Sequence, residues 1–424
     1  MSEKYPKILV INSSPVGEYS NTGITLLNLL GNWPADRIMQ VCYCDATLKT
    51  VENSPDFFTF PKNTVPIDSA IRRMLAKDIS ANKSTLEYKV DNNVFQKNKS
   101  LHEFFKALLD VSPVILQPET IKLIDQFKPE VIYSNLSSIR LIKTVRIISN
   151  RYAIKPVLHF MDDWPTTLYS TNRMTKWAHS KMRNELLRLV NRTDYSLTIS
   201  ELMAKEYTSR YKKEFFAISN PIPLNIYKKK KLSKNKKKTI VYCGGLHLER
   251  WKSLEEVAEV FNDLGNEFFD WEFKIYTPKK DFVYYKKFLK DDKILNWTKE
   301  LEPEEVDEVL ENSDILLHIE SFDSGIMKFT KYSFSTKIPQ YMSSGKPILA
   351  YGPENLASTQ FIREKNVGNL ATNKKEIKKH LIELMSNSLL RNQLGNNGII
   401  QAKNKFEKNY LQGEFLNVVK HNCK

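Results

Sequence analysis

The chain has 424 residues, of which 41% are hydrophobic, 11% aromatic and 27% charged. This balance is typical of a globular protein and excludes collagen and wholesale disorder, and the length favours two domains of roughly 200 residues each. The formal net charge of +15 calls for an anionic partner, which leaves nucleic acid, an acidic membrane surface and a phosphate-bearing substrate as candidates.

The first half of the chain alternates short apolar strands with amphipathic helices. Strands are predicted at "KILVIN", "RIMQVCYC", "EVIYSN", "KPVLHFMDD", "YSLTIS" and "FFAISNP", with helices at "TGITLLNLLGN", "ETIKLIDQFKP", "IRLIKTVRIISNRY" and "ELMAKEYTSRY". Residues 45–100 are more polar and predict an insertion with one helix near "IDSAIRRMLAKD". Regular alternation of this kind indicates a parallel sheet built from right-handed crossovers.

The same alternation restarts after a lysine-rich run. Strands are predicted at "TIVYCGG", "WEFKIYT", "DILLHIE" and "PILAYGP", helices at "SLEEVAEVFNDLG", "PEEVDEVLENS" and "STKIPQYMSSG", and two more helical segments in the tail. The expected fold class is therefore α/β, with two doubly wound Rossmann-like domains facing a cleft. Ligands of such sheets bind beyond the carboxyl ends of the strands, so we expect the site in that cleft.

The expected domain boundaries follow the pattern. We place an N-terminal domain at residues 1–222, a basic linker at 223–238, a second domain at 239–397 and a final helix at 398–424. Residues 228–238 hold eight lysines in eleven positions. This run favours a solvated, extended linker over a segment that is attracted to acidic lipid headgroups.

A second basic stretch covers residues 173–192. Its apolar residues recur near helical spacing, which favours burial in a core over contact with a membrane. The residues of this stripe are Met174, Trp177, Met182, Leu186, Leu189 and Val190.

Targeting and redox signals point to the cytoplasm. The sequence "MSEKYPKILVINSS" carries acid and proline where a signal peptide would be apolar, and no apolar run reaches the ~20 residues of a membrane span. We expect a cytoplasmic location, either free or peripheral on the inner face of the cytoplasmic membrane. A C-x-C pair without a second pair is a weak metal signal, so no metal is expected at Cys42, Cys44, Cys243 and Cys423.

Residues 333–353 predict a short helix, a tight turn and a buried strand. Thr336 is the expected cap, Pro339 falls in the first turn, and Gly345 suits a left-handed residue that ends the helix. Lys337 and Gln340 share one helix face, which would meet a ligand. The alternative is a capped helix that serves packing alone.

In the first half, two strand ends carry candidate residues. Gly23 leads into a helix whose free N–H groups would suit a phosphate, although a plain strand-helix turn explains it equally well. "HFMDDWP" places His159, Asp162 and Asp163 at a strand end. We expect one carboxylate to contact a polar substrate and the other to cap the next segment. His159 is as readily explained as an interior histidine with its hydrogen bonds satisfied.

In the second half, strand ends predict a phosphate site. "YCGGLHLERWK" has Gly244 and Gly245 at a strand end, then Arg250 and Lys252 before a helix. Glycines allow close backbone approach, and cations before a helix suit a diphosphate. Glu320, at the end of "DILLHIE", is available to a hydroxyl group, and the Gln340 side chain can pair with ribose or sugar hydroxyls.

These motifs resemble the GT-B fold glycosyltransferases, specifically the retaining "glycosyltransferase group 1" or family four proteins. "VYCGGLHLERWKSLEEVAEVF" is similar to the family's strand, glycine, basic residue and helix element. "SDILLHIE" and "KIPQYMSSGKPILAYG" look like its donor-binding strand and the helix that follows. "LTISELMAKEYTSRY" with "ISNPIP" looks like the end of its N-terminal domain.

The resemblance implies transfer of a sugar from a nucleotide-sugar, UDP- or GDP-linked, with retained configuration and without a metal or other cofactor. The C-terminal domain would bind the donor, and the N-terminal domain a saccharide or lipid-linked acceptor in surface polysaccharide or glycolipid assembly. Arg250 falls where the family has a phosphate-contacting lysine, and Gln340 where it has a ribose-contacting glutamate. Gly23 matches the glycine near the donor phosphates. Lys337 would stabilise the leaving diphosphate with Arg250, and the acceptor would approach His159, Asp162 and Asp163.

The sequence also departs from the family. Gly245 stands where many members have an arginine, and the usual pair of glutamates separated by seven residues is absent, with an extended loop expected between Glu320 and the helix at Lys337. These departures leave open a noncatalytic scaffold or binding subunit. A sugar-nucleotide epimerase is the nearest enzymatic rival. Nucleic-acid binding is disfavoured, since the lysine run lacks interleaved aromatic residues.

Overall fold

The computed structural model describes residues 5–17, 21–43, 57–60, 96–223, 237–265, 267–290 and 297–423. The chain divides into two compact units, the first formed by Met1–Ile218 and Gln412–Lys424 and the second by Ser219–Leu411. Residues 228–236 of the lysine-rich run and the helix expected near residues 67–78 lie outside the described residues.

The first unit is built on a seven-stranded parallel sheet with the order β3-β2-β1-β4-β5-β6-β7. Its central strands are buried on both faces because they consist almost wholly of apolar residues, as expected for a covered parallel sheet. The strands are β1 Ile8–Asn12, β2 Ile38–Cys42, β3 Phe57–Thr59, β4 Val131–Asn135, β5 Pro156–Phe160, β6 Tyr195–Thr198 and β7 Glu214–Ala217.

Helices follow the strands of the first unit in alternation. They are α1 Asn21–Leu30, α2 Gln96–Val111, α3 Pro118–Phe127, α4 Ile139–Tyr152, α5 Trp164–Thr167, α6 Lys176–Val190 and α7 Glu201–Tyr211, with a 3-10 turn at Ala35–Arg37. Serine side chains cap α4 and α7: Ser138 and Ser200 accept hydrogen bonds from Leu141 N and Met203 N.

The second unit is built on a six-stranded parallel sheet with the order β10-β9-β8-β11-β12-β13. The strands are β8 Lys238–Cys243, β9 Trp271–Tyr276, β10 Trp297–Lys299, β11 Ile315–Ile319, β12 Ile348–Tyr351 and β13 Gly368–Ala371. The helices are α8 Arg250–Asp263, α9 Lys279–Lys286, α10 Pro303–Glu311, α11 Ser324–Thr330, α12 Lys337–Ser343, α13 Ala357–Glu364, α14 Lys374–Ser386, α15 Ser388–Lys405 and α16 Lys408–Asn422, the last of which continues into the first unit.

Several elements differ from the sequence predictions. The tail holds four helices and strand β13 rather than two helical segments, and the expected loop after Glu320 contains helix α11, which Asp323 caps by accepting hydrogen bonds from Gly325 N and Ile326 N. Strands β3 and β10 and helices α2 and α9 were missed. The two strands are only three residues long and lie at sheet edges, where apolar runs are short and periodicity is weak.

The basic stretch at residues 173–192 forms helix α6 and only part of its apolar stripe is buried. Met182, Leu186, Leu189 and Val190 lie in the core, as predicted. Met174 and Trp177 are instead 44% and 40% exposed. Within the described part of the chain, no helix combines the length and apolar character that a membrane span requires.

Candidate functional site

The order of strands in the second unit reverses between β8 and β11, which are neighbours in the sheet. In doubly wound folds the crevice beyond the carboxyl ends of such a pair is the usual ligand site. Gly244 and Gly245 follow β8, and Glu320 follows β11. The structure therefore brings the residues singled out by sequence to one edge of this sheet.

Arg250 and Glu320 form a buried ion pair at this edge. Arg250 Nη2 lies 3.2 Å from Glu320 Oε2, and the two side chains are only 16% and 6% exposed. Arg250 Nε also donates to Ile319 O at 3.1 Å. On the other side, His318 Nε2 lies 3.1 Å from Glu320 Oε1. Glu320 is thus held between a guanidinium and an imidazole.

Burial and charge compete at this pair. Burial alone would raise the pKa of Glu320, but Arg250 and His318 outweigh it and lower the pKa to about 2. Burial would likewise lower the pKa of Arg250, and the Glu320 carboxylate raises it instead. Both groups are charged at neutral pH, so the edge of the sheet carries a fixed ion pair.

The turn before α8 has an unusual backbone. Leu248 and Glu249 are consecutive non-glycine residues in the left-handed region, with φ of 58° and 55°. Such conformations cost free energy and persist only where the surrounding structure enforces them, commonly at functional sites. Here they deliver Arg250 to the first position of α8, directly opposite Glu320.

Lys337 is the second cation of the site. Its Nζ lies 5.7 Å from the centroid of the Tyr242 ring. A side chain at Gly244 would place its Cβ only 1.9 Å from Lys337 Nζ, so the lysine lies directly over the glycine turn. Burial and the nearby Arg250 lower the pKa of Lys337 to about 8. In the described ranges no carboxylate forms an ion pair with this ammonium.

Helix α12 carries Lys337 at its first position and Gln340 three residues later, so both side chains share a face. Gly345 adopts φ of +70° after the helix, which confirms the predicted left-handed end. Thr336 occupies the N-cap position, but its side chain makes no capping hydrogen bond because its backbone is already helical, so the predicted cap is wrong.

A close contact with α15 fixes the end of α12. A Cβ on Gly395 would lie 2.0 Å from the carbonyl oxygen of Gly345, and one on Gly398 would lie 3.3 Å from Met342 Cα. The two helices approach this closely only because α15 presents glycine at both positions. The contact therefore fixes α12, which carries Lys337 and Gln340, against α15.

Several supporting residues were missed by sequence reasoning. His318 and Ser253 hold Glu320, the latter by donating from Oγ to Glu320 O at 2.9 Å. Tyr242 OH donates to Gly245 O at 2.7 Å and shapes the glycine turn. His318 had a usable signal, because it lies two residues before Glu320 and side chains at that spacing share a strand face. The described residues contain no cluster of three or more His, Cys, Asp or Glu side chains suited to a metal.

Residues 225–401 match the family described as Glycosyl transferases group 1. The match lies within the second unit and covers less than half of the chain, so the second unit is similar to this family. The match spans every site residue from Gly244 to Gln340 and confirms that the chain is an enzyme of the glycosyltransferase class. Among curated proteins, none is similar enough in sequence to count as a match.

Solved structures show the fold of the whole chain. HepE from Anabaena, solved in complex with UDP, has a TM-score of 0.65 at 12% identity over 98% of this chain and 100% of HepE. Sucrose-phosphate synthase from Thermosynechococcus elongatus has a TM-score of 0.60 at 10% identity over 98% of each chain. WaaG, a glycosyltransferase involved in lipopolysaccharide biosynthesis, has a TM-score of 0.53 at 10% identity over 97% of this chain and 99% of WaaG. The predicted GT-B fold with two α/β domains is confirmed.

The remaining donor-side candidate in the second unit is Lys252. It occupies the third position of α8, is about half exposed, and pairs with Glu249 at 2.8 Å. Gly245 leaves room beside the neighbouring imidazole, since a Cβ there would lie 2.6 Å from His247 Nδ1. Whether Lys252 contacts a donor stays a prediction.

In the first unit of the glycosyltransferase, Asp163 and His159 already have partners. Asp163 is at the N-cap position of α5, but its carboxylate does not cap the backbone. It accepts hydrogen bonds from Tyr207 OH at 2.7 Å and Arg210 Nη1 at 2.8 Å. His159 lies between Tyr133 OH at 2.8 Å and Ile218 O at 3.1 Å.

The acceptor role foreseen for this group stays a prediction. His159 and Asp163 are 0% and 1% exposed. Asp162 is half-buried beside them. Gly23 is buried within the first turn of α1 rather than in the turn before it, and its carbonyl oxygen accepts from Gly17 N at 3.2 Å.

Proposed function

We propose that the protein transfers a sugar from a UDP- or GDP-linked donor to a saccharide acceptor, with retention of configuration and without a metal. The observation that carries the proposal is the position of Lys337 over Gly244 at the switch point of a group 1 domain. Among the described residues this ammonium has no carboxylate partner, and a cation beside a glycine turn suits a diphosphate.

We assign the donor contacts as follows. Lys337 binds the diphosphate directly, and Gln340, on the same helix face, pairs with ribose hydroxyls. Arg250 is held by Glu320 and contributes its remaining N–H groups to the same phosphates. The Gly245 backbone N–H and Lys252 complete the phosphate site, while the Gly244 N–H is donated to Tyr276 O at 2.9 Å and Gly244 contributes only the space of its missing side chain.

The reaction breaks the bond between the anomeric carbon and the diphosphate oxygen and joins that carbon to an acceptor hydroxyl oxygen. Negative charge develops on the leaving diphosphate, and preorganised cations lower the barrier by stabilising it there. Lys337 and Arg250 supply that charge without any metal. Asp162 is half-buried and is the most accessible member of the acceptor-side group. We place a polar acceptor against it, with His159 and Asp163 as the supporting layer.

The net charge of +15 supports a lipid-linked acceptor and a peripheral position on the cytoplasmic face of the membrane, where surface polysaccharide or glycolipid assembly takes place. WaaG, which shares the fold, is named for lipopolysaccharide biosynthesis. HepE has been solved with UDP and with UDP-glucose, which supports a uridine nucleotide as the first donor to test.

A thermal-shift screen against UDP, GDP, ADP, TDP and CMP tests the proposal. Ligands that bind the folded state alone raise the melting temperature by mass action. We expect one nucleoside diphosphate to give a shift that is lost in Lys337→Met and Arg250→Ala. Lys378→Met, which removes an exposed lysine from α14, should retain the shift. No shift with any of them at millimolar concentration would contradict the proposed transferase.

A second candidate function, a noncatalytic donor-binding subunit, has one specific observation in its favour. Gly245 stands where the family usually has an arginine, and Arg250, which follows it by five residues in the sequence, is engaged by Glu320. This candidate predicts a thermal shift with the nucleotide but no release of nucleoside diphosphate from any nucleotide-sugar, with or without acceptor.

A further inference from the structure

The outer surface of α6 and its neighbour α2 exposes large apolar side chains. Leu101 on α2 is 48% exposed, Met174 just before α6 is 44% exposed, and Trp177 and Leu187 on α6 are 40% and 46% exposed. We call these four residues, together with the exposed basic residues of 173–188, the α6 surface. Leu101, Met174 and Trp177 lie close together, since Ser100 Oγ is 3.5 Å from Met174 Sδ and Phe104 packs on Trp177. Leu187 lies ten residues farther along α6, about 15 Å from Trp177. Three neighbouring large apolar side chains are more than the scattered single exposures of an ordinary surface.

The exposed charges of this surface are of one sign. The basic members are Arg173, Lys176, Lys181, Arg183 and Arg188. The one acidic residue of α6, Glu185, is buried and paired with Arg146 at 2.9 Å and with the exposed Arg188 at 3.5 Å. A partner that meets α6 therefore encounters cations and apolar groups together and no exposed carboxylate from this helix.

Helix stability does not explain the charges. Lys176 is the first residue of α6, where a cation opposes the helix dipole, and the first turn contains no acidic residue. Thr175 occupies the N-cap position without a side-chain hydrogen bond. The basic residues thus lie on a helix that would be more stable with acidic ones at its start.

Trp177 is oriented with its polar edge satisfied. Its Nε1 donates to Met174 O at 2.7 Å. Its ring packs edge-on against Phe104 with centroids 6.4 Å apart. A tryptophan whose N–H is bonded and whose ring is two-fifths exposed is suited to the boundary between headgroups and acyl chains.

We propose that the α6 surface binds an anionic lipid bilayer, with the cations on the headgroups and Met174, Trp177, Leu187 and Leu101 at the acyl boundary. Charge complementarity favours an anionic surface. Three of the four exposed apolar side chains, Leu101, Met174 and Leu187, are not aromatic, which favours lipid over nucleic acid because single-stranded nucleic acid is usually bound by aromatic side chains that stack on its bases. The inference rests on the proposed function in one respect only, since a lipid-linked acceptor gives the contact its purpose.

Vesicle co-sedimentation of the full chain tests the inference. Three proteins are compared: wild type, Lys176→Glu/Lys181→Glu, and Lys378→Glu/Lys379→Glu, which makes the same charge change on exposed lysines of α14. Each is tested on phosphatidylglycerol-phosphatidylcholine vesicles and on pure phosphatidylcholine vesicles. Neither α6 lysine makes an ion pair among the described residues, and Lys176→Glu favours the helix, so lost binding cannot be assigned to unfolding. We expect wild type to bind the anionic vesicles alone, the α6 variant to bind at least about 25-fold more weakly, and the α14 variant to bind like wild type.

Two further measurements make the outcomes distinct. At 0.5 M salt the Debye length is roughly 4 Å, so screening removes most of the electrostatic contribution to vesicle binding and leaves the apolar contribution. Trp177→Ala should reduce the binding that persists under these conditions. The inference would be overturned if wild type did not bind anionic vesicles, or if both double variants lost vesicle binding equally. It would also be overturned if the α6 variant lost affinity for poly(U) but kept its affinity for vesicles. The thermal shift with UDP on the same preparations, without vesicles, reports separately on the proposed function.

Discussion

Arg250 Nη2 lies 3.2 Å from Glu320 Oε2, which joins the start of α8 to the end of β11 across the switch point of the second sheet. Seventy residues separate the pair in sequence, and both side chains are nearly buried. Since a buried charge is tolerated only with its partner, each residue fixes the other. The arginine is therefore oriented before any ligand arrives.

Removal of the Glu320 charge should destabilise the second unit. In Glu320→Gln the Arg250 guanidinium stays buried without a counter-charge, and we expect a loss of roughly 3 kcal/mol in the free energy of unfolding. Chemical denaturation monitored by tryptophan fluorescence measures it. The matched control is Glu354→Gln, whose carboxylate is 69% exposed and pairs with Arg363. Equal stabilities of the two variants would show that the buried pair contributes little.

Nucleotide binding should weaken with rising pH through Lys337. Its pKa, lowered to about 8 by burial and by Arg250, means that the ammonium is mostly charged at pH 7 and mostly neutral at pH 9. The affinity for a nucleoside diphosphate should fall by up to about tenfold over this interval. Isothermal titration measures it.

Two variants separate Lys337 from other titrating groups. Lys337→Arg keeps a cation through pH 9 and should flatten the profile while it retains affinity. Lys337→Met should bind weakly at every pH. A pH profile that Lys337→Met reproduces would assign the titration to another group, and wild-type affinity in Lys337→Met would remove Lys337 from the phosphate site.

The order of elements was predictable from sequence because the strands are continuous apolar runs and the helices show clear periodicity. "DILLHIE" and "PILAYGP" are examples, and β11 and β12 lie within them. The short strand β10 was not predictable, since Trp297–Lys299 has no periodic signal and its place depends on pairing with β9. Helix α11 was missed for another reason. The sequence Asp323-Ser324-Gly325 is typical of a loop, and only the hydrogen bonds that Asp323 accepts from Gly325 N and Ile326 N show that it caps a helix.

The candidate site was predictable as a set of residues but not as a set of contacts. Glycines and charges at strand ends place Gly244, Arg250 and Glu320 on one edge. The pairing of Arg250 with Glu320 depends on two left-handed residues, Leu248 and Glu249, which no propensity indicates. The position of Lys337 over Gly244 likewise depends on how α12 packs, which is a tertiary property.

We expect neutral His159 to stabilise the folded protein. Ile218 O can only accept, so Nε2 carries the proton and Nδ1 accepts from Tyr133 OH. Burial lowers the pKa of His159 to about 4, while the unfolded chain protonates near 6.5. The stability from neutral His159 is complete above 6.5 and is lost as pH falls toward 4, by at most about 3 kcal/mol.

The matched comparison is with His159→Gln, which keeps a donor for Ile218 O and does not titrate. We expect this variant to be less stable than wild type at pH 7.5 and the difference to shrink at pH 5, as measured by denaturation at both values. Other titrating groups affect both proteins equally. A variant with unchanged stability but lost transfer would instead support direct contact between His159 and the acceptor.

The glycine contact between α12 and α15 should couple helix packing to the donor site. Gly395→Ala places a Cβ 2.0 Å from the Gly345 carbonyl oxygen. Because both atoms are fixed by the main chain, a side-chain rotation cannot relieve the clash. The helices must separate, and we expect a loss of about 1–3 kcal/mol in stability. The nucleotide shift should weaken with it, because Lys337 and Gln340 move with α12. Gly413→Ala is the control: a Cβ there meets nothing within 4 Å, so alanine should stabilise α16 by up to about 1 kcal/mol. A Gly395→Ala protein with full stability and an unchanged nucleotide shift would show that α12 keeps its position without this contact.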